Sequence, residues 1–195
     1  SVFRSIGRLD RGTSGIVVCG LNRFVTGILN GKIYKEYMAV CEGIYEDEGI
    51  IDRPIYRPDP IKTYRTVDER GEFAITNWKA LSHHDGKTLL RIHLQTGRTH
   101  QIRVHMKHIG HILFNDDVYG GDEILKGTNF SKYSQFVRNC FKLCPRQALH
   151  AKTLGFVHPV TGEMMFFDSE LPADFISMVE AWRRYSSASV AYLEE

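Results

Sequence analysis

The run TLLRIHLQTGRTHQIRVHMKHIG (residues 88–110) changes period in the middle, and that change decides the fold. Leu90, Ile92 and Leu94 alternate with Leu89, Arg91, His93 and Gln95, the period of two of a strand with one buried face. From Thr99 the period turns helical. At 100° per residue Ile102, Met106 and Ile109 fall on one side, while His100, Arg103 and Lys107 gather a third of a turn or more away. The helix is expected to bury its apolar stripe, present the cationic one and stop at Gly110.

Working outward, GIVVCGL (15–21), YKEYMAV (34–40) and FAITNWKAL (73–81) read as strands, and EMMFFDSEL (163–171) is another after the turn HPVTG. Two more helices are expected. SKYSQFVRNCFKLC (131–144) sets Tyr133, Phe136, Val137, Cys140 and Cys144 on one core-facing stripe. PADFISMVEAWRRY (172–185) opens near a proline and spaces Phe175, Met178, Val179 and Trp182 helically. Hairpin-like strands with irregularly interspersed helices make the class α+β: a mixed, largely antiparallel sheet with flanking helices.

The 195 residues suffice for one domain whose core hides roughly 70% of the unfolded surface. No apolar run approaches the roughly 18 residues of a membrane span, and no membrane partner is expected. Cys19, Cys41, Cys140 and Cys144 sit in apolar contexts and read as free thiols of a reducing compartment, hence a cytoplasmic protein. Cys140 and Cys144, even with His150 and His158, fit no common zinc spacing, so no metal is expected.

The net charge of +2 conceals segregation. Gly86 to Asn115 holds no acid but carries Lys87, Arg91, Arg98, Arg103, Lys107 and five of the nine histidines. Ile124 to Gly162 is likewise acid-free and contains Lys126, Lys132, Arg138, Lys142, Arg146 and Lys152. The expectation is a central cationic cleft aimed at a polyanion, RNA being the natural partner.

The stretch GRLDRGTSG (7–15) then needs a reason for an acid between two arginines on a turn. An exposed ion pair contributes under about 1 kcal/mol. In a cleft, an arginine about 4 Å away contributes on the order of 4 kcal/mol at an effective dielectric near 20. That holds a carboxylate ionised against desolvation, ready to act as nucleophile or base.

GRLDRGTSG resembles the H-R-L-D-x-x-T-S-G motif of RluA-type pseudouridine synthases. KIYKEYMAVCEG (32–43) resembles their K-x-Y-x-A segment, and LQTGRTHQIRVHMKHIGHILFNDDVYGG (94–121) their T-G-R-x-H-Q-I-R-x-H segment followed by G-D-x-x-Y-G. RQALHAKTLGFVHPVTGE (146–163) is similar to their L-H-A…H-P-x-T-G-E stretch. The four blocks keep the family's order from Arg8 to Glu163.

The resemblance implies a pseudouridine synthase fold and an isomerase that converts a uridine in ribosomal or transfer RNA to pseudouridine with no cofactor. It puts the catalytic aspartate on Asp10, the active-site tyrosine on Tyr37 and the aspartate's arginine partner on Arg103, not on Arg8 or Arg11. Arg8 matches the arginine that enters the RNA stack as the base leaves. Arg98, His100 and Lys107 read as RNA-backbone contacts, with His100 open also to a structural role.

Gly7 stands where the family often has histidine, and the segment around LNRFVTGILNG (21–31) is several residues shorter than the pattern. Residues 1–195 are expected to form a single catalytic domain, a monomer lacking the family's N-terminal strands and S4 domain. A non-catalytic RNA-binding module derived from a synthase is the alternative. A serine hydrolase would need glycine where Ile16 follows Gly12-Thr-Ser-Gly, and a two-carboxylate glycosidase would need a second acid.

Overall fold

The computed structural model describes residues 3–43, 46–124 and 132–191. In chain order its elements are β1 (Arg4–Ile6), β2 (Ser14–Gly15), β3 (Val18–Gly20), α1 (Arg23–Leu29), β4 (Tyr34–Glu42), β5 (Glu48–Asp52), β6 (Ile55–Tyr56), β7 (Thr66–Val67), β8 (Ile75–His84), β9 (Lys87–Leu94), α2 (Gln101–His108), α3 (Lys132–Leu143), β10 (Leu149–Val157), β11 (Met164–Asp168) and α4 (Ala173–Ala191). The main sheet runs β11-β10-β4-β9-β8-β5 with antiparallel neighbours, and β2 joins β10 in parallel. The expected mixed, largely antiparallel α+β class is what forms. Ser131, where the second helix was expected to begin, and Lys126 lie outside the described residues.

Period two in β4 splits the core in two. Tyr37, Ala39 and Cys41 join Leu90, Ile92, Ile102, Met106 and Leu149 on the α2 side. Met38 and Val40 face Val137, Cys140, Phe175, Met178 and Trp182 on the side covered by α3 and α4. The helical stripes read from sequence therefore pack as expected. Cys41, Cys140 and Cys144 are buried free thiols and Cys19 is exposed.

Three differences from the sequence reading matter. GIVVCGL is two short strands, because at Gly15 (φ 124°) the backbone runs so close to Ala151 that any side chain would collide with it. The chain pairs there with β10 and then leaves to pair with β1. The short segment after Asp10 still makes a helix, α1, capped by Asn22 accepting the amide of Val25 at 2.9 Å. Finally, β10, beside the central strand, did not stand out in sequence, because its apolar residues are interrupted by His150, Lys152 and Thr153. No helix among the described residues is long and apolar enough to cross a membrane.

Candidate active site

Asp10 sits on a turn closed by the amide of Thr13 donating to its carbonyl at 3.0 Å. The turn is shaped from the far end of the sequence. Gln147 Nε2 donates to the Arg11 carbonyl at 2.8 Å and to Thr13 Oγ1 at 3.1 Å, and Arg146 Nη1 donates to the Gly12 carbonyl at 3.1 Å. Arg146 is itself held by Asp174 of α4 through bonds of 2.7 and 3.0 Å.

The Asp10 carboxylate faces Arg103, whose Nη1 donates to Oδ2 at 3.4 Å, with the acid 22% exposed and the arginine 3%. Arg8 and Arg11 are exposed, and neither pairs with Asp10. The two bracketing arginines of the motif are thus not its counterions; the partner comes from 93 positions downstream.

Arg103 is anchored before it reaches Asp10. Its Nε and Nη2 make a bidentate pair with Asp116 at 2.7 and 2.8 Å, and Asp116 is fully buried. Such paired charge-assisted bonds fix the guanidinium plane as well as its charge. Asp116 Oδ1 also accepts the amides of Val118 and Tyr119 at 3.2 and 3.3 Å. The expectation of a cationic stripe presented by α2 fails here: residues Gln101 to Met106 are all buried, and Arg103 is charged inside because two acids meet it. Lys87 is likewise buried, on Glu42 at 2.8 Å, so part of the charge segregation seen in sequence is consumed internally.

The polar residues of THQIRVH anchor the helix. Gln101 Oε1 accepts from Thr96 Oγ1 (2.8 Å) and the Arg98 amide (3.0 Å), and its Nε2 donates to Thr76 Oγ1 at 3.0 Å. Thr76 meets His105 Nδ1 at 2.8 Å, and His105 Nε2 reaches the Arg53 carbonyl at 2.9 Å. With Nε2–H donating to that carbonyl, Nδ1 accepts from threonine, and the chain is satisfied with a neutral imidazole. Burial holds the His105 pKa below the ordinary histidine value, and it does the same to His150, clamped between Ser14 and Ser169 at 2.8 Å each.

The unfolded chain therefore takes these protons near pH 6.5 while the folded chain resists, so stability is full above that pH and falls as pH drops through it. Each histidine contributes a slope of at most about 1.4 kcal/mol per pH unit. Urea midpoints at pH 7.5 and 5.5 should show the drop, and His105→Gln, less stable at the higher pH, should lose less on acidification.

Tyr37 closes the inner wall. It is 7% exposed, lines the same cleft as Asp10, and its hydroxyl pKa is pushed up to about 12 by burial and then by the Asp10 charge. It is a neutral phenol at physiological pH. His100 also lines the cleft, at a left-handed backbone (φ 57°) just before α2. Its Nδ1 meets Tyr119 Oη at 2.7 Å, and burial lowers its pKa, so it faces the cleft as a neutral ring. Arg98, at the mouth, spends donors on Glu72 (3.0 Å) and the Phe73 carbonyl (2.8 Å). Lys107 lies outside this cleft, 5.9 and 5.8 Å from the rings of Tyr64 and Tyr119.

The structure thus brings together Asp10, Tyr37, Arg103, Arg8, Arg98 and His100, and sets Lys107 apart. Asp116 was missed as a site residue, although it is the first acid after the acid-free run ending at Asn115. It supplies the second carboxylate a glycosidase would need, but it is sealed behind Arg103 and cannot reach a sugar. Ser14 and His150 touch, yet the third group is Ser169 rather than an acid, so the trio is a clamp for β2 and not a hydrolase triad.

A model of the family described as RNA pseudouridylate synthase matches residues 1–108, more than half the chain and a span that includes Asp10, Tyr37 and Arg103. The chain is 39% identical over 179 residues to ribosomal large subunit pseudouridine synthase D of Haemophilus influenzae, covering 89% of this chain and 54% of that protein. Against the protein of the same name from Escherichia coli it is 37% identical over 182 residues, covering 90% and 54%. It therefore spans about half the length of these curated relatives. Among solved structures, human RNA pseudouridylate synthase domain containing 1 superposes with a TM-score of 0.69 at 24% identity, covering 93% of this chain and 74% of that one, a likeness of fold.

Proposed function

The chain belongs to the RNA pseudouridylate synthase family, and we propose that it isomerises a uridine in large-subunit ribosomal RNA to pseudouridine, without a cofactor. One observation carries the reading: a guanidinium locked by Asp116 donates to Asp10 at 3.4 Å, in a cleft walled by Tyr37. The relatives named for the large ribosomal subunit support the choice of RNA. In this reading residues 1–195 act as one catalytic domain.

The target uridine leaves the stack at a cost of a few kcal/mol. Exposed Arg8, at the rim, has the planar cation that can fill the vacated place. Arg98 has donors left for phosphate, and Lys107 extends the contact along the outer surface. His100, neutral, offers Nε2–H rather than charge.

Asp10 then acts at the ribose in one of two ways. Its oxygen attacks C1′, forming a C1′–O bond as the N1–C1′ pair departs with uracil, or it takes the C2′ proton and leaves a C1′=C2′ double bond. Both routes release the base as an anion. The ring turns against Tyr37, and C5 rejoins C1′ as the C1′–O bond breaks to free the carboxylate or, on the second route, as Asp10 returns its proton to C2′. The C5 proton then leaves and N1 takes one up, so nothing is gained or lost overall. A phenol held neutral can move that proton only by releasing its own as it accepts the other. Tyr37→Phe should accordingly slow product formation about 10²–10⁴-fold, while RNA affinity, carried by the ring and the phosphate contacts, stays within a few-fold. An unchanged rate would leave the hydroxyl without a role.

The direct test is incubation with an unmodified large-subunit ribosomal RNA transcript, followed by carbodiimide treatment and primer extension. A discrete new stop is expected, with none on a transfer RNA pool. Binding without any stop would instead identify a non-catalytic RNA-binding module.

A further inference from the structure

Lys35 is a half-buried cation of this site with no acid beside it among the described residues. It lies on β4 two residues before Tyr37, hence on the same face, and lines the cleft with Asp10. It is half-buried, and among the described residues its ammonium makes no ion pair or hydrogen bond. Other sequestered cations are matched: Lys87 has Glu42, Arg103 has Asp116 and Arg146 has Asp174, while Arg65 donates to the carbonyls of Lys62, Thr63 and Tyr64. Withdrawal from water lowers the Lys35 pKa with no acid to oppose it.

Room for the ammonium is made by Gly7. Lys35 Nζ sits 2.6 Å from where a Cβ on Gly7 would be, at a backbone φ of 83° that favours glycine. A residue with a side chain at position 7 would push the ammonium from this place. An unpaired, partly desolvated charge beside a reaction cleft is costly unless an opposite charge arrives there.

RNA brings two kinds of anion, phosphates and, during reaction, the detached base. Depth separates them. The exposed arginines Arg8 and Arg98 meet phosphates that remain hydrated, whereas Lys35 between them is half-buried, its ammonium also 3.9 Å from where a Cβ on Gly97 would be. A preorganised cation gains most against charge that appears only as the bond breaks.

We infer that Lys35 is a further catalytic residue, its ammonium pairing with a ring oxygen of the uracil anion between rupture of N1–C1′ and formation of C5–C1′. This rests on the function proposed above. The electron pair from N1–C1′ spreads over the ring oxygens, is held there by Lys35, and returns to make C5–C1′; Lys35 neither gains nor loses a bond.

Single-turnover rates at saturating enzyme on the unmodified large-subunit transcript should fall about 10²–10³-fold for Lys35→Met, with the transcript's Kd within about threefold and part of the rate restored in Lys35→Arg. A raised Kd with an unchanged saturated rate would make Lys35 a phosphate contact and overturn the inference. Should Lys35→Met not fold, Lys35→Gln replaces it. Independently of turnover, barbiturate, a pyrimidine ring anionic at pH 7, should bind the parent at least about tenfold more tightly than Lys35→Met in a titration followed by NMR. No binding by the parent, or equal binding by both, overturns the inference. Lys35-dependent binding by a parent that modifies no RNA would instead sink the proposed function and leave Lys35 as a site for a pyrimidine anion.

Discussion

Asp10→Asn should make no detectable pseudouridine in RNA that the parent modifies, a loss of at least about 10⁴-fold. The substitution is nearly isosteric and removes only the charge that acts at the ribose. Folding should survive it. The turn is closed through the Asp10 carbonyl, not its side chain, and shaped by Gln147 and Arg146. Arg103 keeps its bidentate partner Asp116. Unfolding free energy should therefore change by under about 1 kcal/mol, and RNA binding should persist. Retained turnover would take Asp10 out of its role.

Arg103→Met is expected to fail twice. Asp116 is fully buried, and loss of its partner strands a carboxylate without a counterion. Breaking a buried pair in this way costs about 3–5 kcal/mol. For a domain of this size that is a fall in Tm of roughly 10 °C. Asp10 would simultaneously lose the guanidinium that donates to it, and activity should disappear even below the new Tm. Arg103→Lys should rescue little of either loss, because a point charge cannot reproduce the fork that reaches Asp116 and Asp10 together. The double variant Arg103→Met with Asp116→Leu separates the effects: stability should recover substantially while activity stays absent.

The parts of the fold that were legible in sequence are those where local period and burial agree. Leu90, Ile92 and Leu94 face the core as their alternation requires, and the Phe175–Met178–Trp182 stripe of α4 packs as read. Strand β10 was not legible, since His150 and Lys152 interrupt its apolar residues and its burial depends on lying beside β4. The orientation of α2 was misread for a related reason. A helix wheel counts Arg103 as an outward cation, and only the arrival of Asp10 and Asp116 from two other segments makes its burial tolerable. Asp10 was legible from its bracketing arginines, although neither is its partner, whereas Tyr37 and Arg103 follow from motif resemblance, because their proximity to it is a product of tertiary pairing. Lys35 stands in the lysine position of the K-x-Y-x-A segment, but its missing acid partner is visible only in coordinates.

The clasp of Arg146 and Gln147 on the Asp10 turn has a kinetic corollary. The carboxylate is positioned by groups about 135 residues later in the chain, and one of them, Arg146, is fastened in turn to the start of the last helix. Contacts of such separation close late in folding because chain entropy opposes them until the rest has collapsed. During refolding from urea, far-UV ellipticity should return ahead of turnover, with a compact species that is still inert in between.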